Sequence, residues 1–135
     1  MESRPRTFTR EEAEALLPEV DRLLGEAQVL AENLSGAEGE AETAERKVRA
    51  NGKVQPQATA DSPEAARRAI ARQLALRVER IQRLGIVVRD IQSGLIDFPS
   101  LREDRVVHLC WKRGEPLEIR WWHEVDVGFA ARQPI

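Results

Sequence analysis

Two amphipathic segments of opposite charge constrain the fold of this chain more than any other feature. In both, apolar residues recur at spacings of three and four, and in the first segment these spacings alternate, as in a short coiled coil. The first stripe is Leu16, Val20, Leu23, Ala27, Leu30 and Leu34, and the second is Ile70, Leu74, Val78, Ile81 and Leu84. Residues 10–34 hold seven acidic and two basic residues, whereas residues 63–84 hold six arginines and two glutamates. The sequence therefore predicts a long antiparallel helical hairpin.

Capping signals set the expected bounds of the two helices. Thr9 followed by Glu12 is a capping box, which predicts helix 1 over residues 8–34, with a kink or local break at Pro18. Ser62 before Pro63 predicts helix 2 over residues 62–85. Residues 35–61 between them are largely polar and contain glycine and proline, so we expect a flexible tip, in which residues 40–47 could add helical turns.

The apolar pattern becomes strand-like after Gly85, which predicts a small antiparallel sheet of three or four strands and a docked tail over residues 86–135. Residues 86–88 and 95–98 are short strand candidates, and Pro99 should end the second. Residues 106–124 look like a β-hairpin. Its expected helix-facing side chains are Val107, Leu109, Trp111, Leu117, Ile119 and Trp121. The expected fold is therefore α+β, with residues 1–135 as a single domain.

In that register the opposite face of the hairpin carries the polar aromatic set. His108, Cys110, Arg120 and Trp122 are expected to share it. His123 falls with Trp121 on the other face, so a bulge or strand end would be needed to bring it to His108.

Composition excludes several classes of protein. The chain of 135 residues has a net charge of −2 and no apolar run near the roughly 20 residues that cross a bilayer. It has no secretory signal and a single cysteine, so we expect a cytoplasmic protein with no membrane partner. The arginines of helix 2 have an acidic neighbour in helix 1, and we therefore expect no nucleic-acid partner.

Several motifs carry a resemblance to a known family. They are Phe8, Thr9, Glu11, Glu12, Ala13, Leu17 and Pro18 near the start, then Gly94, Leu95, Ile96, Asp97, Phe98, Pro99 and Arg102, and finally Leu109, Cys110, Trp111, Gly114, Glu115, Trp122, His123, Glu124, Gly128, Phe129, Arg132, Gln133 and Pro134. With these residues the chain resembles a family of short, uncharacterised, mainly bacterial proteins, the domain of unknown function numbered twenty-two-oh-three. The resemblance implies no established activity.

The C-terminal part also holds candidate metal ligands. His108, Cys110, His123 and Glu124 offer imidazole, thiolate and carboxylate groups, which are ligands of zinc and related divalent metals. Their spacing matches no established zinc motif, so the alternative is structural: Cys110 fills a half-buried position and His123 forms a hydrogen bond at a strand end. Nucleophilic catalysis by Cys110 is not favoured, because His108 on the same strand lies about 6–7 Å away at Cβ.

A second group of charged and aromatic residues is a candidate small-ligand site. Its members are Asp97, Arg102, Arg120, Trp122, Asp126 and Arg132. They form either an anion pocket or ion pairs that tie the tail to the sheet.

We therefore expect a non-enzymatic interaction module that self-associates as a homodimer through its helical surface, with any other protein partner unknown. The alternative is a metal- or small-ligand-binding protein with a site at the C-terminal hairpin. No residue set has the spacing of a catalytic motif, so no catalytic residues are assigned.

Overall fold

The computed structural model describes the backbone of residues 6–51 and 62–135, and the side chains of residues 6–36 and 62–135. Two helices precede one antiparallel sheet, which confirms the α+β class. The elements are α1 (Arg10–Asn51), α2 (Pro63–Arg83), β1 (Val87–Asp90), β2 (Leu95–Arg102), β3 (Arg105–Lys112), β4 (Trp121–Glu124), a 3₁₀ turn (Phe129–Ala131) and β5 (Gln133–Pro134). The strands lie side by side in chain order. The described part of the chain thus has five strands, against three or four expected.

Both helices begin where the capping signals predict. The Thr9 N–H donates to a Glu12 carboxylate oxygen at 2.9 Å, and the Glu12 N–H donates to the Thr9 hydroxyl at 3.1 Å. The Ser62 hydroxyl accepts from the Ala65 N–H at 3.2 Å, with Pro63 in the first turn of α2. These side chains satisfy backbone donors that the first turn of a helix leaves unpaired.

The first helix is longer than expected. It runs from Arg10 to Asn51 without a break at Pro18, whereas its end was predicted at Leu34. Gly36 and Gly39 each cost about 1 kcal/mol relative to alanine, but most residues that follow them in the helix are good helix formers. Burial of Leu17 and Val20 on either side of Pro18 offsets the backbone hydrogen bond that proline removes. The predicted tip is therefore partly helical, and residues 52–61 lie outside the described residues.

Complementary charges join the two helices, as their composition predicts. The Arg77 guanidinium on α2 lies 3.3 Å from the Glu26 carboxylate on α1, and Arg80 lies 3.7 Å from Glu19. These pairs are partly exposed, so each contributes at most about 1 kcal/mol. Neither described helix is long and apolar enough to cross a membrane.

The sheet packs one face on the helices. Its contributions to the common core are Ile96, Phe98, Val107, Leu109, Trp111 and Trp122, which meet Phe8, Leu17, Val20 and Leu24 from the helical side.

Pro99 does not end β2, contrary to expectation. It pairs with His108 in the middle of the strand. Its carbonyl oxygen accepts the Phe8 N–H at 2.7 Å, on the side away from β3. Because the N–H and C=O of one strand residue point the same way, the missing proline N–H removes no bond between β2 and β3.

The predicted register of the hairpin is wrong by one residue. β4 begins at Trp121, and the pairs are Cys110 with Trp121, Leu109 with Trp122 and His108 with His123. Directly opposed residues share a face, so Trp122 faces the core and His123 joins His108. Leu117 is exposed rather than buried.

The physical reason is the connection between β3 and β4. Residues 113–120 are a loop rather than strand and tight turn. The Trp111 indole N–H donates to the Pro116 carbonyl at 2.9 Å, and the Ile119 N–H donates to the Glu14 carboxylate at 2.9 Å. Ile119 therefore reaches the core from a loop and not from a strand. A strand alternation that starts at Leu117 consequently assigns the residues of β4 to the wrong faces of the sheet.

Candidate functional site

Four polar side chains are buried on the face of the sheet that turns away from the helices. They are Asp97, His108, Cys110 and His123, exposed by 1%, 6%, 1% and 1%. Asp97 on β2 lies opposite Cys110 on β3, and His108 on β3 lies opposite His123 on β4. Three adjacent strands thus bring a carboxylate, a thiol and two imidazoles to one place.

The C-terminal segment packs against this same face. The Arg132 guanidinium lies 4.6 Å from the Trp121 ring centroid and 4.1 Å from that of Phe129, within cation–π range. It also forms an ion pair with Glu115 at 2.8 Å. Because the C-terminal segment covers this face of the sheet, the four polar side chains are shielded from water although no helix packs on them.

His123 has both ring nitrogens engaged. Nδ1 lies 2.7 Å from the Glu124 carbonyl oxygen, and Nε2 lies 3.0 Å from Asp97 Oδ1. A carbonyl oxygen only accepts, so Nδ1 carries a proton. Nε2 therefore faces the carboxylate at hydrogen-bond distance.

Arg89 on β1 holds the other carboxylate oxygen of Asp97. Its Nε donates to Oδ2 at 2.7 Å, and its Nη2 lies 3.1 Å from His108 Nδ1. His108 Nδ1 is itself 3.4 Å from Oδ2. Burial acts to raise the pKa of Asp97, but hydrogen bonds with His108, Arg89 and His123 outweigh it, so the pKa is lowered. Asp97 is therefore a carboxylate at neutral pH.

Cys110 completes a group of three possible ligand atoms. One atom each from Asp97, Cys110 and His123 lie within 4.8 Å of one another. Burial, and then the charge of Asp97, raise the pKa of the Cys110 thiol to about 11, against the effect of the Arg132 guanidinium. Without a metal ion bound to it, the sulfur is thus a protonated thiol at neutral pH.

A cavity of about 360 Å³ opens beside this cluster. Asp97, His123 and Arg89 line it together with the segment from Val125 to Phe129. This volume is near the lower end of the range of roughly 300–1,000 Å³ for small-molecule sites.

The structure brings together part of the predicted metal set. Cys110 and His123 converge with Asp97, and His108 contacts Asp97 from the side. The side chain of Glu124 lies elsewhere: its carboxylate pairs with Arg105 at 2.5 Å.

The six residues of the predicted small-ligand set do not converge on one pocket. Asp97 and Asp126 line the cavity described above. Arg102 stacks on the Trp122 ring at 4.3 Å, and Arg120 pairs with Glu118 at 3.0 Å. Arg132 pairs with Glu115 in the loop before β4 and stacks on Trp121 of β4, so Arg132 ties the tail to the sheet.

The roles of two residues in this cluster, Asp97 and Arg89, were not predicted from the sequence. Asp97 was assigned to the small-ligand set, because its position opposite Cys110 depends on strand pairing that the sequence does not state. Arg89 was assigned no role, although Val87 pairs with Asp97 and Arg89 lies two residues further along β1. The alternation of Val87 and Arg89 is consistent with one face of a strand, but nothing local identifies the neighbouring strand.

Comparison with known proteins identifies the family without adding an activity. No curated protein and no solved structure matches the chain. The family described as "Uncharacterized conserved protein (DUF2203)" matches residues 6–135, which include both helices and the whole sheet. The chain therefore belongs to this family of uncharacterised conserved proteins.

Proposed function

We propose that this protein binds a divalent transition-metal ion of the Zn²⁺ class through Asp97, Cys110 and His123. The observation that carries the proposal is the meeting of three ligand atoms within 4.8 Å on a buried face. A tetrahedral ion with bonds of about 2.0–2.3 Å needs ligand atoms about 3.3–3.7 Å apart. His123 Nε2 and Asp97 Oδ1 are 3.0 Å apart. Binding of the ion therefore requires these two side chains to separate only slightly.

The chemistry of the ligand set favours this class of metal. Thiolate and imidazole prefer zinc, cobalt and ferrous iron over magnesium and calcium, and carboxylate is a common third ligand. Binding displaces the proton of the Cys110 thiol, so affinity should rise with pH.

The surroundings of His123 also suit a ligand. Metal-bound histidines usually donate their second N–H to a carbonyl or carboxylate, which fixes the ring and its tautomer. The bond from His123 Nδ1 to the Glu124 carbonyl is of this kind, and it leaves Nε2 for the ion. Arg89 and His108 hold Asp97 in the same indirect way.

The buried polar side chains are satisfied without an ion. Among residues with described side chains, every buried side-chain nitrogen and oxygen atom has a hydrogen-bond partner. We therefore expect the metal-free protein to be folded, and the ion to add stability by binding the folded state alone.

Metal analysis of the purified protein tests the proposal. After incubation with Zn²⁺ and desalting, we expect about one ion per chain and a higher melting temperature. Cys110→Ser and His123→Asn should each weaken Zn²⁺ binding by at least about 100-fold, because each removes a direct ligand.

The chain offers a matched control. His108→Asn alters the only other histidine, which lies on the same face but outside the three ligand atoms. We expect it to retain one ion per chain, with affinity lowered by about tenfold, at the low end of the roughly 10- to 100-fold range for residues that support a ligand and less than in either ligand variant. Absence of stoichiometric metal in the parent protein, or equal losses in all three variants, would contradict the proposal.

Other expectations from the sequence stay predictions. They are a cytoplasmic location, the absence of a nucleic-acid partner and self-association through the helical surface. The last of these is tested in the Discussion.

A further inference from the structure

The cavity beside Asp97 and His123 has two kinds of lining. Polar groups come from Asp97, His123 and Arg89, and apolar surface comes from Leu95, Val127 and Phe129. Three protein ligands leave a fourth position of a tetrahedral ion open to solvent or to a bound molecule. Since two of the three proposed ligands line the cavity, a molecule within it lies next to the expected position of the ion.

Arg89 retains hydrogen-bonding capacity on this cavity. Its Nε and Nη2 are bonded to Asp97 and His108. Nη1 forms no hydrogen bond within the part of the chain whose side chains are described. A guanidinium with a donor to spare is a common partner for a carboxylate.

The charge of the site permits an anion. A divalent ion together with the Asp97 carboxylate and the Cys110 thiolate carries no net charge. The Arg89 guanidinium adds one positive charge to the site. Asp126 also lines the cavity and opposes an anion, but it is exposed, so water and salt screen its charge.

From this combination we infer that the cavity binds a small monocarboxylate with a short apolar body. The carboxylate takes the open position on the ion and a hydrogen bond from Arg89, while the apolar body lies against Leu95, Val127 and Phe129. This inference rests on the proposed metal site. It assigns that site a class of ligand, which neither the family nor the fold supplies.

Cobalt-substituted protein provides a direct test. Co²⁺ bound by Cys110 gives a thiolate-to-cobalt charge-transfer band, and its visible d–d bands respond to a change of the fourth ligand. We expect benzoate to shift the d–d bands saturably, at least about tenfold more tightly than acetate. Benzamide, which has the same shape and no charge, should leave them unchanged.

Two variants locate the binding. Val127→Trp narrows the cavity and replaces none of the proposed ligands, so it should weaken benzoate at least about tenfold while leaving the charge-transfer band unchanged. Asp126→Asn removes the opposing charge and should strengthen benzoate binding by a few-fold at low salt.

The possible failures are distinguishable. Absence of the charge-transfer band overturns the metal site and this inference together. A normal charge-transfer band with no response to benzoate overturns the carboxylate ligand alone. Equal responses to acetate and benzoate, unaffected by Val127→Trp, would indicate simple anion exchange at the ion and would overturn the role of the cavity.

Discussion

Cys110 is the residue whose chemistry depends most on its surroundings. A lone cysteine in a sequence suggests either an inert core residue or a nucleophile, and burial decides between them. The Cys110 side chain is almost fully buried and its thiol has a pKa raised to about 11, so the sulfur is a poor nucleophile. Nearby His108 does not change this, because its Nδ1 contacts Arg89 and Asp97.

We predict slow alkylation of Cys110 in the folded, metal-free protein. At pH 8 a thiol with a pKa of about 11 has about a hundredfold less thiolate than an ordinary cysteine. Labelling with iodoacetamide in the presence of EDTA, measured by mass spectrometry, should therefore be at least about 100-fold slower for the folded protein than for the protein unfolded in urea. Since the chain has one cysteine, Cys110→Ser is a complete blank. Comparable rates in the two states would show an activated cysteine.

At this scale the sequence predicted residue types better than residue partners. Cys110 and His123 were candidate metal ligands from their chemistry alone, and both lie in the cluster. Asp97 and Arg89 were not assigned to it, because each reaches the cluster from a different strand. The type of each side chain can be read from the sequence, whereas the residues that lie next to it depend on which strands pair.

Among the elements, those with local signals were predictable. The starts of both helices follow from Thr9, Glu12 and Ser62, since a capping interaction spans three residues. The start of β4 did not follow, because the loop before it is fixed by the bond between Ile119 and Glu14. Because the prediction continued the strand alternation through this loop, it placed β4 one residue out of register and separated His108 from His123.

The cap of α1 gives a prediction for pH dependence. The pKa of Glu12 is lowered by the hydrogen bond from the Thr9 N–H, and then by the Thr9 hydroxyl. A group with a lowered pKa in the folded state stabilises above its unfolded pKa, and this contribution disappears as the pH falls through the folded value. The Glu12→Gln variant should therefore have a lower free energy of unfolding than the parent protein at pH 7. Between about pH 5 and about pH 3, its free energy of unfolding should fall less than that of the parent protein.

Chemical denaturation at each pH measures this effect. Glu11→Gln is the control, because Glu11 belongs to the same first turn and its side chain makes no hydrogen bond to Thr9 among the described contacts. It should follow the parent protein closely. Identical pH profiles for Glu12→Gln and the parent would show that the cap carries no charge-dependent stability.

For the whole molecule, self-association is the prediction still to be tested. Val29 on α1 and Leu76 on α2 are apolar and exposed by 56% and 47%. If the helical surface forms a homodimer, sedimentation velocity at tens of micromolar should detect it. Val29→Asp should then weaken the dimer by at least about tenfold, since it places a charge in the interface.

A substitution far from the helices provides the comparison. Leu117 is similarly exposed, at 49%, but lies in the loop before β4. Leu117→Asp should leave the dimer unchanged. A parent protein that sediments as a monomer throughout the concentration series would end the prediction, with no effect on the metal proposal.

The sheet joins opposite ends of the sequence, and this has a consequence for how the protein is made. The Ser100 hydroxyl donates to the Phe8 carbonyl across 92 residues, and the Ile119 N–H donates to Glu14 across 105. During translation the helices therefore leave the ribosome long before the segment that covers them. Contacts of such span slow folding. The nascent chain meanwhile displays an apolar stripe that the sheet has not yet covered.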